Sequence, residues 1–307
     1  MPVHQEIKKI LDVIPKYDPS HRVVLESHRE QFNTPAIPLE NRAQVYEIED
    51  RVVSAPDADI PIRIYTPIEA GAYPILLYFH GGAFFTGNIE SHDEVARALC
   101  ADTNHKVIAI DYRLAPEHAF PAGIEDCYYV TRWVTENADE LKWDRKNLAV
   151  SGDSSGGNFA AVITHLARER KEFTVTKQVL LYPAMDVDLS EFHYASLSEN
   201  GSGYFVESAQ MEELYSFYVN SGANPKDPLV SPIRASNFEN LPEALVITAE
   251  YDPMRDEGEL YAEKLKSAGV PVELKRYEGA THGFLGKWTH LPEYADVYQF
   301  IGKFLNK

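Results

Sequence analysis

The stretch from Leu148 to Asn158 constrains the fold of this chain more than any other. It reads Leu-Ala-Val-Ser-Gly-Asp-Ser-Ser-Gly-Gly-Asn, which is an apolar strand, a tight turn of small residues and the start of a helix. Gly152 and Gly156 leave room for the strand and the helix to pass close to a residue held between them. This spacing in this context is typical of a nucleophile elbow, in which Ser154 projects from the carboxyl edge of a sheet.

Short apolar runs alternate with helix-length segments from about residue 45 onward. The runs are rich in Val, Ile and Leu, as expected for strands buried on both faces of a mostly parallel sheet. The predicted strands are Val45–Ile48, Ile60–Tyr65, Ile75–Phe79, Val107–Ile110, Leu148–Ser151, Val179–Tyr182, Ala244–Ala249 and Val272–Tyr277. Apolar residues at spacings of three and four predict helices at Ser91–Asp102, Gly123–Asn137, Gly156–Arg170 and Asp256–Ala268, with a closing helix from Pro292. The alternation predicts a single α/β domain over residues 1–307, with an eight-stranded sheet flanked by helices.

Two segments do not fit this alternation. Residues 1–44 read as helix and loop, and residues 186–240 form a long insertion with a helical stretch near Glu207–Val219. The aromatic residues of the insertion are Phe192, Tyr194, Tyr204, Phe205, Tyr215, Phe217 and Tyr218. This composition argues against disorder, and long excursions from a compact domain are usually functional. We expect the two segments to form a helical cap; the alternative is an extra packing layer with no role in binding.

A glycine-rich loop follows the third predicted strand. From Tyr78 to Phe85 it reads Tyr-Phe-His-Gly-Gly-Ala-Phe-Phe. Backbone N–H groups aimed at one point stabilise a developing oxyanion, and glycine lets the backbone approach a ligand without an intervening Cβ. His80 is a candidate base, but a histidine that ends a strand before two glycines fits a structural role better, fixing the loop by hydrogen bonding.

An acid and a histidine follow the last two predicted strands. Asp252, before a proline, suits an acid that orients a histidine and also suits a helix cap. Glu250 and Asp256 are rival acids. His282 lies directly after the last strand with glycines close on both sides, and the order Ser154, Asp252, His282 is that of α/β-hydrolases.

The composition excludes several classes of protein. There are 47 acidic against 29 basic residues, a net charge of −18, so no basic face for nucleic acid is expected. Cys100 and Cys127 fall in helical segments, where buried free thiols fit better than a disulfide and indicate a reducing compartment. Residues 1–10 have no signal-peptide core, and no run approaches the roughly 18 apolar residues of a membrane span, so a cytoplasmic protein is expected. Motifs for zinc, P-loop phosphate or dinucleotide binding are missing, so we expect no metal and no cofactor.

Taken together, the motifs resemble the hormone-sensitive-lipase-like family of bacterial esterases. That family carries an HGGG loop, then Y-R-L-A-P-E, GDSAGG, D-P-L-R-D-E-G and a final H-G-F. The matching segments are His80–Ala83, Tyr112–Glu117, Gly152–Gly157, Asp252–Gly258 and His282–Phe284. Three residues depart from the pattern: Ala83 replaces the third glycine, Ser155 the alanine after the nucleophile, and Met254 a leucine. Ala83 and Ser155 keep their backbone N–H groups, so the departures affect geometry more than chemistry.

The resemblance implies an α/β-hydrolase fold and a serine carboxylesterase that acts on a small ester through an acyl-enzyme intermediate, without a cofactor. It places the triad at Ser154, Asp252 and His282. The candidate oxyanion donors are the N–H groups of Gly81, Gly82, Ala83 and Ser155. The resemblance also makes a homodimer plausible.

Finer expectations concern the pocket and the loop that supports the oxyanion donors. Aromatic side chains are expected to line the pocket and to favour short acyl chains: Phe84, Phe85, Tyr204 and Phe205. An Arg113–Glu117 pair is expected to brace the oxyanion loop. The alternative activities are amide hydrolysis or deacetylation of a specific metabolite, or small-molecule capture by a receptor, although such receptors tend to have lost a triad residue.

Overall fold

The computed structural model describes residues 2–13, 18, 22–69, 71–190 and 194–307. Its strands are β1 (Glu47–Ser54), β2 (Asp59–Thr66), β3 (Tyr73–Phe79), β4 (Lys106–Ile110), β5 (Trp143–Asp153), β6 (Lys177–Leu181), β7 (Glu243–Tyr251) and β8 (Val272–Thr281). They form one sheet in the order β1-β2-β4-β3-β5-β6-β7-β8. The strands from β3 to β8 pair in parallel, whereas β1 and β2 are antiparallel to their neighbours. The predicted eight-stranded, mostly parallel α/β sheet is confirmed.

The first strand is displaced from its predicted position. It was predicted at Val45–Ile48 but runs over Glu47–Ser54, where it forms a hairpin with β2. Within β1 only Val53 is buried. An edge strand with one face in solvent tolerates charged residues, so its apolar signal is weak.

The helices are α1 (Gln5–Leu11), α2 (Leu25–Phe32), α3 (Asp93–Thr103), α4 (Ala122–Glu136), α5 (Ser155–Arg170), α6 (Ala195–Glu199), α7 (Ser208–Tyr218), α8 (Arg255–Ser267) and α9 (Val297–Leu305). One face of the sheet packs against α4, α5 and α8, and the other packs against α3 and α9. The alternating residues of β3 divide between these two cores: Leu77 faces the first and Leu76 the second. The closing helix starts at Val297, five residues after the predicted Pro292.

Helices α1 and α2 lie in the N-terminal segment, and α6 and α7 lie in the insertion between β6 and β7. A buried ion pair closes the base of the insertion: the guanidinium of Arg234 donates to the carboxylate of Asp186, with Nε and Oδ1 2.8 Å apart. The N–H of Val187 donates to Ser231 Oγ beside it, 2.8 Å away. Phe192, one of the predicted lid aromatics, lies outside the described residues.

Cys100 and Cys127 are both buried and free, as predicted. In the described part of the chain, no helix is long and apolar enough to cross a bilayer.

Candidate active site

Ser154 lies at a sharp turn between β5 and α5. Its backbone has φ 53° and ψ −120°, a conformation that a residue with a Cβ adopts only under strain. Its N–H donates to the carbonyl of Leu181 at 2.9 Å, which ties the turn to β6. A Cβ at Gly152 would collide with the carbonyl of Gly156, and a Cβ at Gly156 with that of Phe79. Close backbone packing therefore requires both glycines of the predicted elbow.

The sheet brings the three predicted triad residues together. Tyr251 at the end of β7 pairs with Thr281 at the end of β8, so the residues that follow them lie side by side. His282 Nδ1 is 2.7 Å from Asp252 Oδ2, and His282 Nε2 is 3.0 Å from Ser154 Oγ. Asp252 is fully buried, and the side chain of His282 is 11% exposed. The serine and the acid thus sit at hydrogen-bond distance on opposite sides of one imidazole.

Asp252 also holds the turn that leads into helix α8, but it does not cap the helix, because the N-cap residue is Met254 and no side-chain capping bond is made there. Its second oxygen, Oδ1, accepts from the N–H of Met254 at 2.8 Å. The rival carboxylates have other partners: Glu250 accepts from the N–H of Gly279 at 2.7 Å, and Asp256 accepts from that of Ser196 at 2.8 Å. Asp252 is therefore the acid in contact with the imidazole.

The oxyanion loop, residues 81–87, is strained. Gly82, Ala83 and Phe84 follow one another at φ 128°, 50° and 70°. For a residue with a Cβ the left-handed region costs about 1–2 kcal/mol, so Ala83 and Phe84 each carry strain. The loop closes on itself, because the N–H groups of Phe85 and Thr86 donate to the carbonyl of Gly82 at 3.1 and 2.9 Å.

Gly81 does not fit its predicted role as an oxyanion donor. Its N–H donates to Asp153 Oδ1 at 2.9 Å, so this donor is already used. The N–H groups of Gly82, Ala83 and Ser155 have no acceptor within the described chain. Ser155 is the first residue of α5, where helical N–H groups are free and the helix dipole favours negative charge.

Asp153, which the sequence analysis missed, anchors the oxyanion loop from below. Besides Gly81, it accepts from the Tyr78 hydroxyl at 2.6 Å, and His92 Nε2 lies 3.7 Å away. Burial alone would raise the pKa of the Asp153 carboxyl, but His92 and the Tyr78 hydrogen bond outweigh it and hold the pKa below its ordinary value. The carboxylate therefore stays charged and keeps its hold on the loop. Its position beside Ser154 in the elbow is the signal that could have found it.

His80 is packed as a structural residue. Its ring stacks on Tyr112 with centroids 4.3 Å apart, and the Tyr112 hydroxyl donates to its carbonyl at 2.7 Å. Burial lowers the pKa of His80 to about 3, so the ring is neutral. It has no hydrogen bond to Ser154.

The predicted Arg113–Glu117 pair is wrong. Arg113 pairs with Asp126, with Nη2 and Oδ1 2.7 Å apart, and Glu117 pairs with Arg29 of helix α2 at 2.7 Å. Arg29 lies 88 positions from Glu117 in the chain, so no local pattern indicated the contact.

The four predicted pocket residues divide into two pairs. Phe84 and Phe85 are each only 1% exposed; Phe84 stacks on Tyr218 at 4.0 Å between centroids. Both rings are packed inside the protein, so neither presents an exposed face to an acyl group in this structure. Tyr204 and Phe205 are half-buried in the insertion, where the Tyr204 ring packs on that of Tyr251, with centroids 4.9 Å apart.

Two further buried groups border the triad. The Tyr182 ring meets the His282 ring edge to face, with centroids 4.9 Å apart, and limits how the imidazole can turn. Glu257 is fully buried behind Asp252; its Oε1 accepts from the N–H of Met185 at 2.9 Å, and its Oε2 has no partner in the described chain. Burial raises the pKa of the Glu257 carboxyl well above its ordinary value, and neighbouring Asp186 adds to the shift.

This arrangement has the parts of an acyl-transfer site. A hydroxyl is hydrogen-bonded to an imidazole, the imidazole is hydrogen-bonded to a carboxylate, and the N–H groups of Gly82, Ala83 and Ser155 are free of internal acceptors in the described chain. Within the described ranges, no three His, Cys, Asp or Glu side chains are grouped so that they could hold a metal ion.

Comparison with known proteins shows which family the chain belongs to. A family model for the alpha/beta hydrolase fold matches residues 76–286. An arylesterase of Saccharolobus solfataricus is 36% identical over 289 residues, 93% of each chain. An ethyl acetate hydrolase of Pseudomonas putida is 36% identical over 87% of this chain and 85% of its own. A hyperthermophilic esterase from the archaeon Pyrobaculum calidifontis superposes with a TM-score of 0.89 at 36% identity, over 99% of this chain and 98% of its own. The chain therefore belongs to the hormone-sensitive-lipase-like family of α/β-hydrolases and is a carboxylic ester hydrolase.

Proposed function

We propose that this carboxylesterase cleaves short-chain esters through an acyl-enzyme formed on Ser154. The observation that carries the proposal is the pair of contacts at His282, 3.0 Å to Ser154 Oγ and 2.7 Å to Asp252 Oδ2. A serine hydroxyl is a weak nucleophile until an adjacent base takes its proton, and this geometry supplies that base.

In the first half of the reaction Ser154 Oγ attacks the ester carbonyl carbon, and His282 Nε2 takes the hydroxyl proton. The tetrahedral intermediate collapses, the bond to the alcohol oxygen breaks, and the imidazolium returns the proton to the leaving alcohol. Water, deprotonated by His282, then attacks the acyl-enzyme. The acid leaves, and Ser154 recovers its proton. Asp252 holds the imidazole in the required tautomer and stabilises its positive charge throughout.

The oxyanion of each intermediate is proposed to lie between the N–H groups of Gly82, Ala83 and Ser155. These three donors are free of internal partners and belong to the two segments that flank Ser154. Preorganised donors of this kind contribute more than they would in water, because no reorganisation is needed when the charge develops.

The N-terminal segment and the insertion are proposed to cap this site. Their helices contact the segments that carry the catalytic groups. Helix α2 reaches the oxyanion loop through Arg29, whose Nε donates to the carbonyl of Phe85 at 2.9 Å. Helix α6 reaches the start of α8 through Ser196, whose Oγ donates to the carbonyl of Pro253 at 2.7 Å.

Short acyl chains fit the packing beside the oxyanion loop. Phe84 lies among the rings of Phe159, Tyr215 and Tyr218, with centroids 4.0–6.0 Å from its own. These rings occupy the space between the loop and helix α7, which limits the room for a long chain. One relative, 36% identical to this chain, is an ethyl acetate hydrolase. Each methylene gains about 0.8 kcal/mol until the pocket ends, so activity is expected to rise and then fall with chain length.

The test is a series of p-nitrophenyl esters from about two to sixteen carbons, assayed below their micellar limits. We expect the largest kcat/KM between acetate and hexanoate. A maximum at about twelve carbons or more, or activation at an oil–water interface, would refute the short-chain assignment. Parallel assays with aryl amides and acetylated sugars test amide hydrolysis and deacetylation. Titration with a reactive organophosphate, which should stop activity at one equivalent, tests the nucleophile.

A further inference from the structure

Helix α2 is an unusual part of the proposed cap, because none of its side chains is buried. Apolar packing therefore contributes little to holding it in place. It is held instead by polar and ring contacts, and these converge on the oxyanion loop.

Arg29 makes most of these contacts. Its Nε donates to the carbonyl of Phe85 at 2.9 Å, and its Nη2 donates to the carbonyl of Ala115 at 2.8 Å. The same guanidinium binds both oxygens of Glu117, at 2.8 and 2.7 Å. One planar side chain thus joins the loop after β3 to the loop after β4. The two loops also bond directly, because the N–H of Ala115 donates to the carbonyl of Phe84 at 3.0 Å.

Two neighbours extend this contact along the loop. Asn33, directly after α2, accepts from the N–H of Gly87 at 2.8 Å through its Oδ1. The ring of His28 lies against Phe85, with centroids 6.0 Å apart. Residues 85 and 87 are therefore held from α2, just beyond the strained positions Ala83 and Phe84.

We propose that Arg29 is a positioning residue that holds the oxyanion loop in its strained, donor-presenting conformation, so that docking of α2 sets the rate of acyl transfer. This inference rests on the proposed mechanism, in which the N–H groups of Gly82 and Ala83 bind the oxyanion. Strain at Ala83 and Phe84 favours relaxation of the loop, and the bond from Arg29 to the Phe85 carbonyl opposes it. Small displacements of such donors lower the catalytic rate strongly. Losing one oxyanion donor slows turnover by about 10²–10³-fold, and a shift of about 1 Å in a reacting group slows it by up to about 10²-fold.

The test is Arg29→Met, which keeps the length of the side chain but removes every donor. The matched control is Arg170→Met. Arg170 also forms a partly exposed pair with a glutamate, 2.9 Å from Glu125, but it contacts no catalytic loop. We expect Arg29→Met to lower kcat by about 10- to 100-fold with KM changed less than about threefold, because the loop acts on the transition state more than on the bound ester. Arg170→Met should stay near wild type.

A second readout separates positioning from loss of stability. An alkyl trifluoromethyl ketone forms a tetrahedral adduct with an active-site serine and places an oxyanion among the donors. Its Ki should rise in Arg29→Met by the same factor by which kcat/KM falls. If Arg29→Met does not fold, Arg29→Lys keeps the charge opposite Glu117 but cannot bridge both carbonyls, and an intermediate loss in kcat is expected.

Three results would overturn the inference: a kcat of Arg29→Met within about twofold of that of Arg170→Met, an effect confined to KM, or an unchanged Ki for the ketone. Ser154→Ala separates this failure from failure of the mechanism itself. If Ser154→Ala is inactive and Arg29→Met is fully active, only the role of Arg29 is refuted. If Ser154→Ala is active, the proposed mechanism is wrong.

Discussion

Replacing Asp252 with asparagine should leave the fold intact and nearly abolish turnover, because the hydrogen bond from Met254 fixes how the asparagine amide is oriented. Oδ1 of Asp252 accepts from the N–H of Met254 at 2.8 Å, so the asparagine oxygen must take that position. Its NH₂ group then faces His282 Nδ1, which lies 2.7 Å from the present Oδ2. A donor there forces Nδ1 to accept, so the imidazole proton moves to Nε2, and Nε2 can no longer take the proton of Ser154.

The size of the effect follows from these contacts. Turning the amide to restore the tautomer would place its NH₂ against the N–H of Met254 in a fully buried site, at about 1–3 kcal/mol for an unsatisfied donor. The active orientation is therefore populated about 5- to 150-fold less. Losing the buried carboxylate charge opposite the imidazolium lowers the rate further. Such a change in a triad lowers kcat by about 10⁴-fold in total. This corresponds to about 5.4 kcal/mol in activation free energy, at 1.36 kcal/mol for each tenfold.

The assay compares kcat for p-nitrophenyl acetate with the free energy of unfolding in denaturant. Asp252→Asn should keep the bond to the N–H of Met254 and unfold near wild type, whereas Asp252→Ala should also lose about 1–3 kcal/mol, because that buried N–H is left without an acceptor. The control is Glu250→Gln, whose carbonyl can still accept from Gly279, and it should cost less than about threefold. The reasoning is refuted if Asp252→Asn keeps more than about a tenth of wild-type kcat, or if Glu250→Gln is the more damaged enzyme.

Three further predictions address the elbow and the buried acid. Ser154→Ala should lose several orders of magnitude in kcat. Ser155→Ala should stay within about threefold, because the buried Ser155 hydroxyl has no partner in the described chain. The reverse ranking in the same ester assay would contradict the nucleophile assignment. Gly156→Ala should lower the free energy of unfolding by about 1–3 kcal/mol or more, because the added Cβ overpacks against β3. Gly286→Ala should change it little, because the Cβ added there would meet its nearest neighbour at 3.7 Å. Equal losses in the two variants would refute the close-approach argument. The raised pKa of Glu257 means that the folded state holds a proton that the unfolded state releases above about pH 4.5, so stability falls as pH rises. Glu257→Gln should remove that slope, which is at most about 1.4 kcal/mol per pH unit above about pH 4.5, and parallel stability curves for the two proteins would show that the carboxyl is ionised when folded.

The central strands were predictable because they are buried on both faces. Every residue of β4 is buried, and such strands read as continuous runs of Val, Ile and Ala. Strand β1 lacks this signal, since seven of its eight positions are at least partly exposed. Strand β5 begins at Trp143, five residues before the predicted Leu148, because its first half is polar and lies at the margin of the sheet.

In the candidate site, the residues proposed to perform the chemistry are indicated by local motifs, whereas the contacts that hold them are not. Ser154 and His282 each follow a strand at a motif whose spacing reflects local backbone geometry. Gly81 also lies in a clear motif, yet its N–H donates a hydrogen bond to Asp153, which is 72 positions away in the sequence. The partner of Glu117 is likewise an arginine from a distant helix. Such long-range hydrogen bonds are decided by tertiary packing, and the local sequence pattern does not specify them.

The ion pair between Asp186 and Arg234 has a consequence for the length of the insertion. Because the chain leaves and returns at one buried point, the 47 residues between this pair form a loop whose ends are already joined. The entropic cost of closing a loop grows only with the logarithm of its length, about 0.6 kcal/mol for each doubling. Chain-closure entropy therefore places little limit on the length of this segment, whereas the packing of Tyr215 and Tyr218 against Phe84 limits its sequence. In the proposed cap arrangement the length of the cover over the serine can vary at little cost in closure entropy, and a chimera that keeps Asp186, Arg234 and the aromatic contacts to Phe84 tests whether this segment sets which esters are accepted.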